Sequence, residues 1–235
     1  MARRRFFVPG IHSGTATLAG EEAHHLTRVL RVEKGQKYEI SDNREVWLAE
    51  VEAARRDLVT FRVIERLDAT EPTAHTALYI ALIRFERIEL LVEKATELGV
   101  ERIVFFTAER SEKGLDRAVP KRLDRWRRIA REAAEQSRRV RLPEIAGPLS
   151  FREVLDSKQG CLLLLDEAPG GKPLLGSLPA DRVSVLVGPE GGWTDRERAL
   201  AHEAGWRSIS LGPSVLRAET AAIAALAVIN AASSR

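Results

Sequence analysis

Cys161–Leu165 is a run of five apolar residues, and residues 183–187 form a second, broken only by Ser184. A strand with one wet face alternates apolar and polar residues. A continuous apolar run must instead be covered on both faces, as inner strands of parallel sheets are. The second half of the chain fits such a sheet. Residues 77–83 and 102–106 read as strands and 208–211 as a last short one. Helices are expected between them. Residues 88–98 place Ile88, Leu91, Val92, Ala95 and Leu98 on one stripe, and Gly99 ends it. Residues 121–137 read as another helix. Thr194-Asp195 caps a helix to about Ala204 that Gly205 stops. Residues 219–232 make the last helix, with no charge from Ala221 to Ile229. An apolar surface of that extent must be covered by the core or by another subunit. The fold class is therefore α/β, a largely parallel sheet with helices on both faces.

The first seventy residues have a different pattern. Residues 6–8, 37–41, 46–53 and 58–64 are strand-like, Asp42-Asn43 marks a turn, and residues 21–30 are a short helix candidate. Several strands and one helix suggest a small barrel. The polar stretch 68–73, with Pro72, reads as a linker, which divides the chain into 1–70 and 74–235.

Two glycine-punctuated loops follow apolar runs near the C-terminus: Leu186-Val187-Gly188-Pro189-Glu190-Gly191-Gly192-Trp193-Thr194 and Leu211-Gly212-Pro213-Ser214-Val215-Leu216-Arg217-Ala218-Glu219-Thr220-Ala221. Neither is a phosphate loop or a dinucleotide fingerprint. Glycine lets main-chain amides and carbonyls approach a ligand closely, which suits a nucleoside-like molecule read by backbone.

Net charge is only +3, but residues 110–141 hold twelve Lys/Arg against five Asp/Glu. Such clustering is the electrostatic footprint of phosphate-backbone binding; a solvated helix face with internal ion pairs is the alternative. No apolar stretch is long enough to span a bilayer, and no apolar signal core follows the basic N-terminus. The single cysteine, Cys161, permits no internal disulfide and reads as core. These features point to the cytoplasm. The histidines lack ligand spacing, so no metal site is expected.

The motifs resemble those of the RsmE-type 16S ribosomal RNA uridine-N3 methyltransferases, of the SPOUT class. Leu186–Gly192 and Leu211–Ala221 resemble that family's two signature segments. Arg28-Val29-Leu30-Arg31, Glu93-Lys94-Ala95-Thr96-Glu97-Leu98-Gly99-Val100 and the stretch from Glu135-Gln136-Ser137 to Glu144 resemble three more, all in order. Two positions depart from the pattern: Phe85 and Arg138 each stand where the family usually has glycine.

The resemblance implies a PUA-like β-barrel, 1–70, that binds RNA, and a trefoil-knotted methyltransferase domain, 74–235. It implies a homodimer acting on small-subunit ribosomal RNA, within the 30S particle or as free rRNA, with S-adenosylmethionine as methyl donor. Three loops would hold the donor: Leu165; Gly188, Pro189, Glu190, Gly191 and Gly192; and Leu211, Gly212, Ser214 and Leu216, with Thr220 and Ala221 following. Uridine N3 must lose a proton, and the protein's help is alignment and stabilisation of the charge that spreads to O2 and O4. Arg217 is the candidate for that charge or for holding a phosphate nearby, and a salt bridge to Glu219 is its alternative role. Glu219 is a candidate base or substrate contact, although an acid at a helix start is also favoured by the dipole. Glu190 either touches the ligand or caps backbone donors. Candidate RNA contacts are Arg3, Arg4, Arg5, Arg28, Arg31, Arg84, Arg125, Arg128, Arg138 and Arg139. The rival readings are a SPOUT methyltransferase acting on another RNA and a ribosome-assembly factor that binds rRNA without methylating it.

Overall fold

The computed structural model describes residues 4–69, 74–157, 159–168, 170–176 and 182–233. Two compact units result, and the division is not linear: residues 134–142 belong with 1–71, and the remainder forms the second unit.

In the first unit, β1 (Arg5–Phe7), β2 (Ile11–His12), β3 (Thr15–Ala19), α1 (Gly20–Arg28), β4 (Lys37–Ser41), β5 (Val46–Arg55) and β6 (Leu58–Leu67) follow in order. The six strands form one sheet in the order β1-β4-β5-β6-β3-β2, with β1 parallel to β4 and the other pairs antiparallel. Alternate residues point inward onto a core of Phe6, Leu18, Ile40, Val51, Val59 and Phe61, which Ala23 and Leu26 of α1 close. Among the described residues β1 and β2 do not pair with each other, so the ladder of the expected small barrel is open between them.

An ion cluster sits in this unit. Arg5 is 5% exposed and donates through Nη2 to Glu39 at 2.8 Å. Arg138 also pairs with Glu39, and its carbonyl accepts from Arg5. The φ of Arg138 is 58°, in the left-handed region that a side chain enters at a cost. A glycine enters it freely, which explains why the resembling family has glycine there. Here the buried Glu39 carboxylate offsets the strain.

The second unit contains β7 (His75–Ala81), α2 (Phe85–Glu97), β8 (Arg102–Thr107), α3 (Leu115–Gln136), β9 (Glu144–Ser150), α4 (Phe151–Asp156), β10 (Cys161–Leu165), β11 (Lys172–Pro173), a 3-10 turn at Leu174–Gly176, β12 (Arg182–Val187), α5 (Asp195–Glu203), β13 (Arg207–Ser210) and α6 (Ala218–Ser233). Its seven strands are all parallel, in the order β11-β13-β10-β12-β7-β8-β9. The strands alternate between two cores. Leu78, Ile80, Ile103, Phe105, Leu163 and Val185 face α2, α3 and α6. Tyr79, Val104, Phe106, Leu164 and Leu186 face α4 and α5, with Trp193 and Trp206 among them. The continuous apolar runs are thus buried on both sides, except at Cys161 and Leu162, which are half-buried.

Three features escape sequence patterns. The α3 helix starts at Leu115, before the expected start at 121, and runs through Pro120. Pro120 removes only the hydrogen bond to the Asp116 carbonyl, and both residues are exposed, so water can satisfy that oxygen. The β9 strand contains Gly147-Pro148, which reads as a break but is tolerated because β9 lies at the sheet edge. The α4 helix is only six residues long and depends on a capping box from Ser150 and Glu153.

Candidate functional site

The strands β13, β10 and β12 are neighbours and parallel, so their C-terminal ends lie on one edge of the sheet. The loops that leave those ends surround a cavity of about 330 Å3. One wall is Leu165, Asp166 and Glu167. A second is Gly188, Pro189, Glu190, Gly192 and Trp193. A third is the loop from Leu211 to Ala218, and Arg87 of α2 completes the lining. Ligands of open α/β sheets occupy this position, beyond the carboxyl ends of the strands.

Trp193 ties two walls together. Its indole is 3% exposed and its Nε1 donates to the Leu165 carbonyl at 2.9 Å. The ring stacks on Phe106 and leans on Phe151. A Cβ on residue 188 would stand 2.8 Å from the ring, so only glycine fits there. Gly192 has φ +70°, closes a turn by donating to the Pro189 carbonyl, and leaves room for the Glu167 carboxylate. The sequence reading did not single out Trp193; a tryptophan directly after paired glycines was the available signal.

The rest of the loop is braced from β8 and α5. Arg110 Nη1 donates to the carbonyl of Gly191 at 3.0 Å and approaches that of Trp193 at 3.4 Å. Thr194 caps α5 through a capping box with Glu197. Glu197 also accepts from the Glu109 amide at 2.9 Å. Asp166 is buried and held by Arg198 Nε at 3.0 Å. That bond holds the Arg198 guanidinium above its ordinary pKa.

Glu190 forms an ion pair with Arg87, whose Nε lies 3.7 Å from Glu219. One residue in the first turn of α2 therefore joins the 188–193 loop to the start of α6. Arg87 was not among the sequence candidates; it ends the Arg84-Phe85-Glu86-Arg87 run. Glu219 is 6% exposed, and its Oε2 has no hydrogen-bond partner among the described residues. Arg217 is exposed on the cavity wall and has no ion pair among the described residues, so the bridge to Glu219 weighed from sequence is not formed. Glu190, likewise, pairs with Arg87 where backbone capping was the alternative.

Leu165, Gly188, Pro189, Glu190, Gly192, Leu211, Gly212, Ser214, Leu216 and Arg217 come together around the cavity, as the sequence candidates had them. Gly191, Glu219, Thr220 and Ala221 are not lining residues. Main-chain groups of Ser214, Val215 and Leu216 carry no backbone hydrogen bonds among the described residues, and Val215 is 76% exposed. These free amides and carbonyls, the glycine-lined wall and the volume fit a nucleoside-sized ligand.

The arginine candidates divide. Arg4, Arg28, Arg31, Arg84 and Arg128 are exposed. Arg125 is also exposed but is engaged with Glu89, Nη2 to Oε2 at 2.8 Å; that contact holds the Glu89 carboxyl below its ordinary pKa. Arg5 is buried against Glu39 and is a structural cation here, because its guanidinium is satisfied inside the unit. Arg138 shares that carboxylate, and Arg139 is engaged by neighbours. Arg3 lies outside the described residues. Cys161 is half-buried and its Sγ accepts from Arg207 at 2.7 Å. Among the described residues no acid, histidine or cysteine cluster is placed to hold a metal, and no helix is long and apolar enough to cross a membrane.

The chain as a whole is similar to known proteins. Residues 70–230 match the model of an RNA methyltransferase domain, and residues 18–64 that of an RNA methyltransferase PUA domain. A Synechocystis protein named ribosomal RNA small subunit methyltransferase E is 37% identical over 98% of this chain and 78% of its own. The crystal structure of a ribosomal RNA small subunit methyltransferase E from Neisseria gonorrhoeae bound to S-adenosyl methionine superimposes with a TM-score of 0.89. It is 30% identical, and the match covers 98% of each chain. A Legionella pneumophila methyltransferase in complex with the same cofactor also gives 0.89, at 31% identity over 99% of this chain and 98% of its own.

Proposed function

This chain belongs to the RNA methyltransferase family that includes the ribosomal RNA small subunit methyltransferase E proteins, and from that membership we propose that it methylates N3 of one uridine in small-subunit ribosomal RNA, using S-adenosylmethionine. The observation that carries the reading is the convergence of three loops on one cavity, with Arg217, which has no ion pair among the described residues, at its wall.

The donor supplies an electrophilic methyl group on a sulfonium. The chain holds it by shape and backbone. Gly188 and Gly192 keep the wall open, and free main-chain groups between Ser214 and Leu216 read its polar edges. Trp193 fixes the distance between the Leu165 and Gly188 walls, a fixed frame that would help to align a bound donor with the uridine. Arg217 stabilises the negative charge on O2 and O4 as the N3 proton leaves. Glu219 acts from behind the wall: through Arg87 it steadies Glu190 and the loop that bears it. Thr220 and Ala221 act in the same way, by starting α6 where Arg217 must point.

The exposed Arg4, Arg28, Arg31, Arg84 and Arg128 are the proposed phosphate contacts, which position RNA without reading sequence. The protein is proposed to work in the cytoplasm on RNA within the 30S particle, and as a homodimer. A stripe of α6 supports the dimer: Ala224 and Ala227 stay half-exposed opposite the buried Ala222, Ala225, Leu226 and Ile229, flanked by Ile223 and Val228, which are half-exposed and pack in part on the core. A second copy of that stripe would cover it. The backbone is proposed to be a trefoil knot. Its support is that the chain leaves β13 near one end of the sheet and returns as α6 against β12 and β7, in the middle.

The test is labelled donor with small subunits that lack uridine-N3 methylation, with the product mapped by mass spectrometry. Label at one rRNA uridine N3, abolished by Arg217→Ala with the dimer intact, is the expected result. Donor binding without rRNA label would move the substrate to another RNA. Absence of donor binding would leave the assembly-factor reading.

A further inference from the structure

Five charged side chains line the cavity: Arg87, Asp166, Glu167, Glu190 and Arg217. Three are spent. Arg87 and Glu190 hold each other, and Asp166 is held by Arg198. Arg217 and Glu167 have no side-chain partner among the described residues. Arg217 suits the negative charge that develops on the substrate. Glu167 is left as a lone carboxylate in a cavity proposed to take a ligand with two positive centres, a sulfonium and an α-ammonium.

Its placement depends on the wall beneath it. Oε1 of Glu167 lies 2.9 Å from where a Cβ on residue 192 would stand. The carboxylate therefore rests over Gly192, in space that any other residue would fill. Gly192 is anchored by its turn to Pro189, and its neighbour Trp193 by the bond to the Leu165 carbonyl. Glu167 is exposed at the cavity mouth, and its carboxylate, without a side-chain partner among the described residues, is open to a cation or a strong donor.

We propose that Glu167 binds the cationic part of the methyl donor. The inference rests on the methyltransferase reading. If the contact is to the sulfonium, the site binds the charged donor more tightly than the neutral thioether left after transfer, and so favours product release. If it is to the α-ammonium, donor and product lose affinity together when the charge is removed.

The experiment is calorimetric binding of S-adenosylmethionine and S-adenosylhomocysteine to the full chain, as wild type, Glu167→Gln and Glu167→Asp. A partly solvated charge contact predicts that Glu167→Gln weakens donor binding about tenfold. Loss confined to the donor identifies the sulfonium, and equal loss for both ligands identifies the ammonium. Glu167→Asp keeps the charge and retains most of the affinity. If Glu167→Gln binds the donor as wild type does, or Glu167→Asp is as weak as Glu167→Gln, the proposal is wrong while the methyltransferase reading stands. If the wild type binds neither ligand, that reading falls, and this proposal with it. Circular dichroism melts of the three proteins separate lost contact from lost fold.

Discussion

Gly188→Ala tests whether the wall of the cavity is held by the indole of Trp193. The added methyl would sit 2.8 Å from Cε2 and 3.1 Å from both Cδ2 and Nε1. The ring cannot easily retreat. It is buried, bonded to the Leu165 carbonyl at 2.9 Å, and packed by Phe106 and Phe151. Overpacking by one methyl in such a site costs about 1–3 kcal/mol. If the ring shifts far enough to lose its hydrogen bond, about 1 kcal/mol more is lost. The expected destabilisation is therefore about 2–4 kcal/mol, read by urea denaturation followed by far-UV circular dichroism. Trp193→Phe removes the fused edge that clashes. The double variant should then be more stable than the two single changes sum to, by about 1 kcal/mol or more. Strict additivity, or a Gly188→Ala protein as stable as wild type, would refute the account of the wall.

Arg110→Ala should raise the equilibrium Kd for S-adenosylmethionine severalfold without lowering the melting temperature much, because it frees the carbonyls of Gly191 and Trp193 at the surface while the core stays intact; an unchanged Kd in calorimetry would show that the loop needs no brace. Arg128→Ala should reduce the slope of log K for rRNA against log salt by about one contact, measured by filter binding at several salt concentrations, whereas Arg5→Ala should lower stability through the loss of its buried pair with Glu39. Glu89 has its pKa lowered by the Arg125 hydrogen bond, so its contribution to stability is present above the ordinary carboxylate pKa and is lost as pH falls through the lowered folded value. Arg125→Ala should accordingly flatten that part of the acid-unfolding curve, and an identical curve for both proteins would count against the pair.

Much of the second unit was readable because its signals are local. Cys161–Leu165 is a strand with the expected bounds, since five apolar residues in a row leave few alternatives. Thr194 caps α5 with Glu197 three residues on, a pattern visible in the letters. The loops around Gly188 and Gly212 announced main-chain ligand recognition, and they do border one cavity. Other elements were hidden because their reasons are not local. The β9 strand tolerates Gly147-Pro148 because it lies at the edge of the sheet, with no strand beyond it among the described residues. Residues 134–142 belong with the first unit, although 134–136 are the last residues of α3, whose body lies in the second.

The sequence by itself determined the α/β class, the inner strands and the two glycine loops, because apolar runs, caps and glycines act over a few residues. Only the tertiary structure decided which charges are available. Arg5 and Arg217 look alike as letters, yet Arg5 is buried on Glu39 and Arg217, at the cavity, has no ion pair among the described residues. Glu190 and Glu167 differ likewise, one taken by Arg87 and one left facing the ligand space. A charge is spent or free according to what the fold brings within about 4 Å of it, and those partners come from 34 residues away for Arg5 and 103 for Arg87.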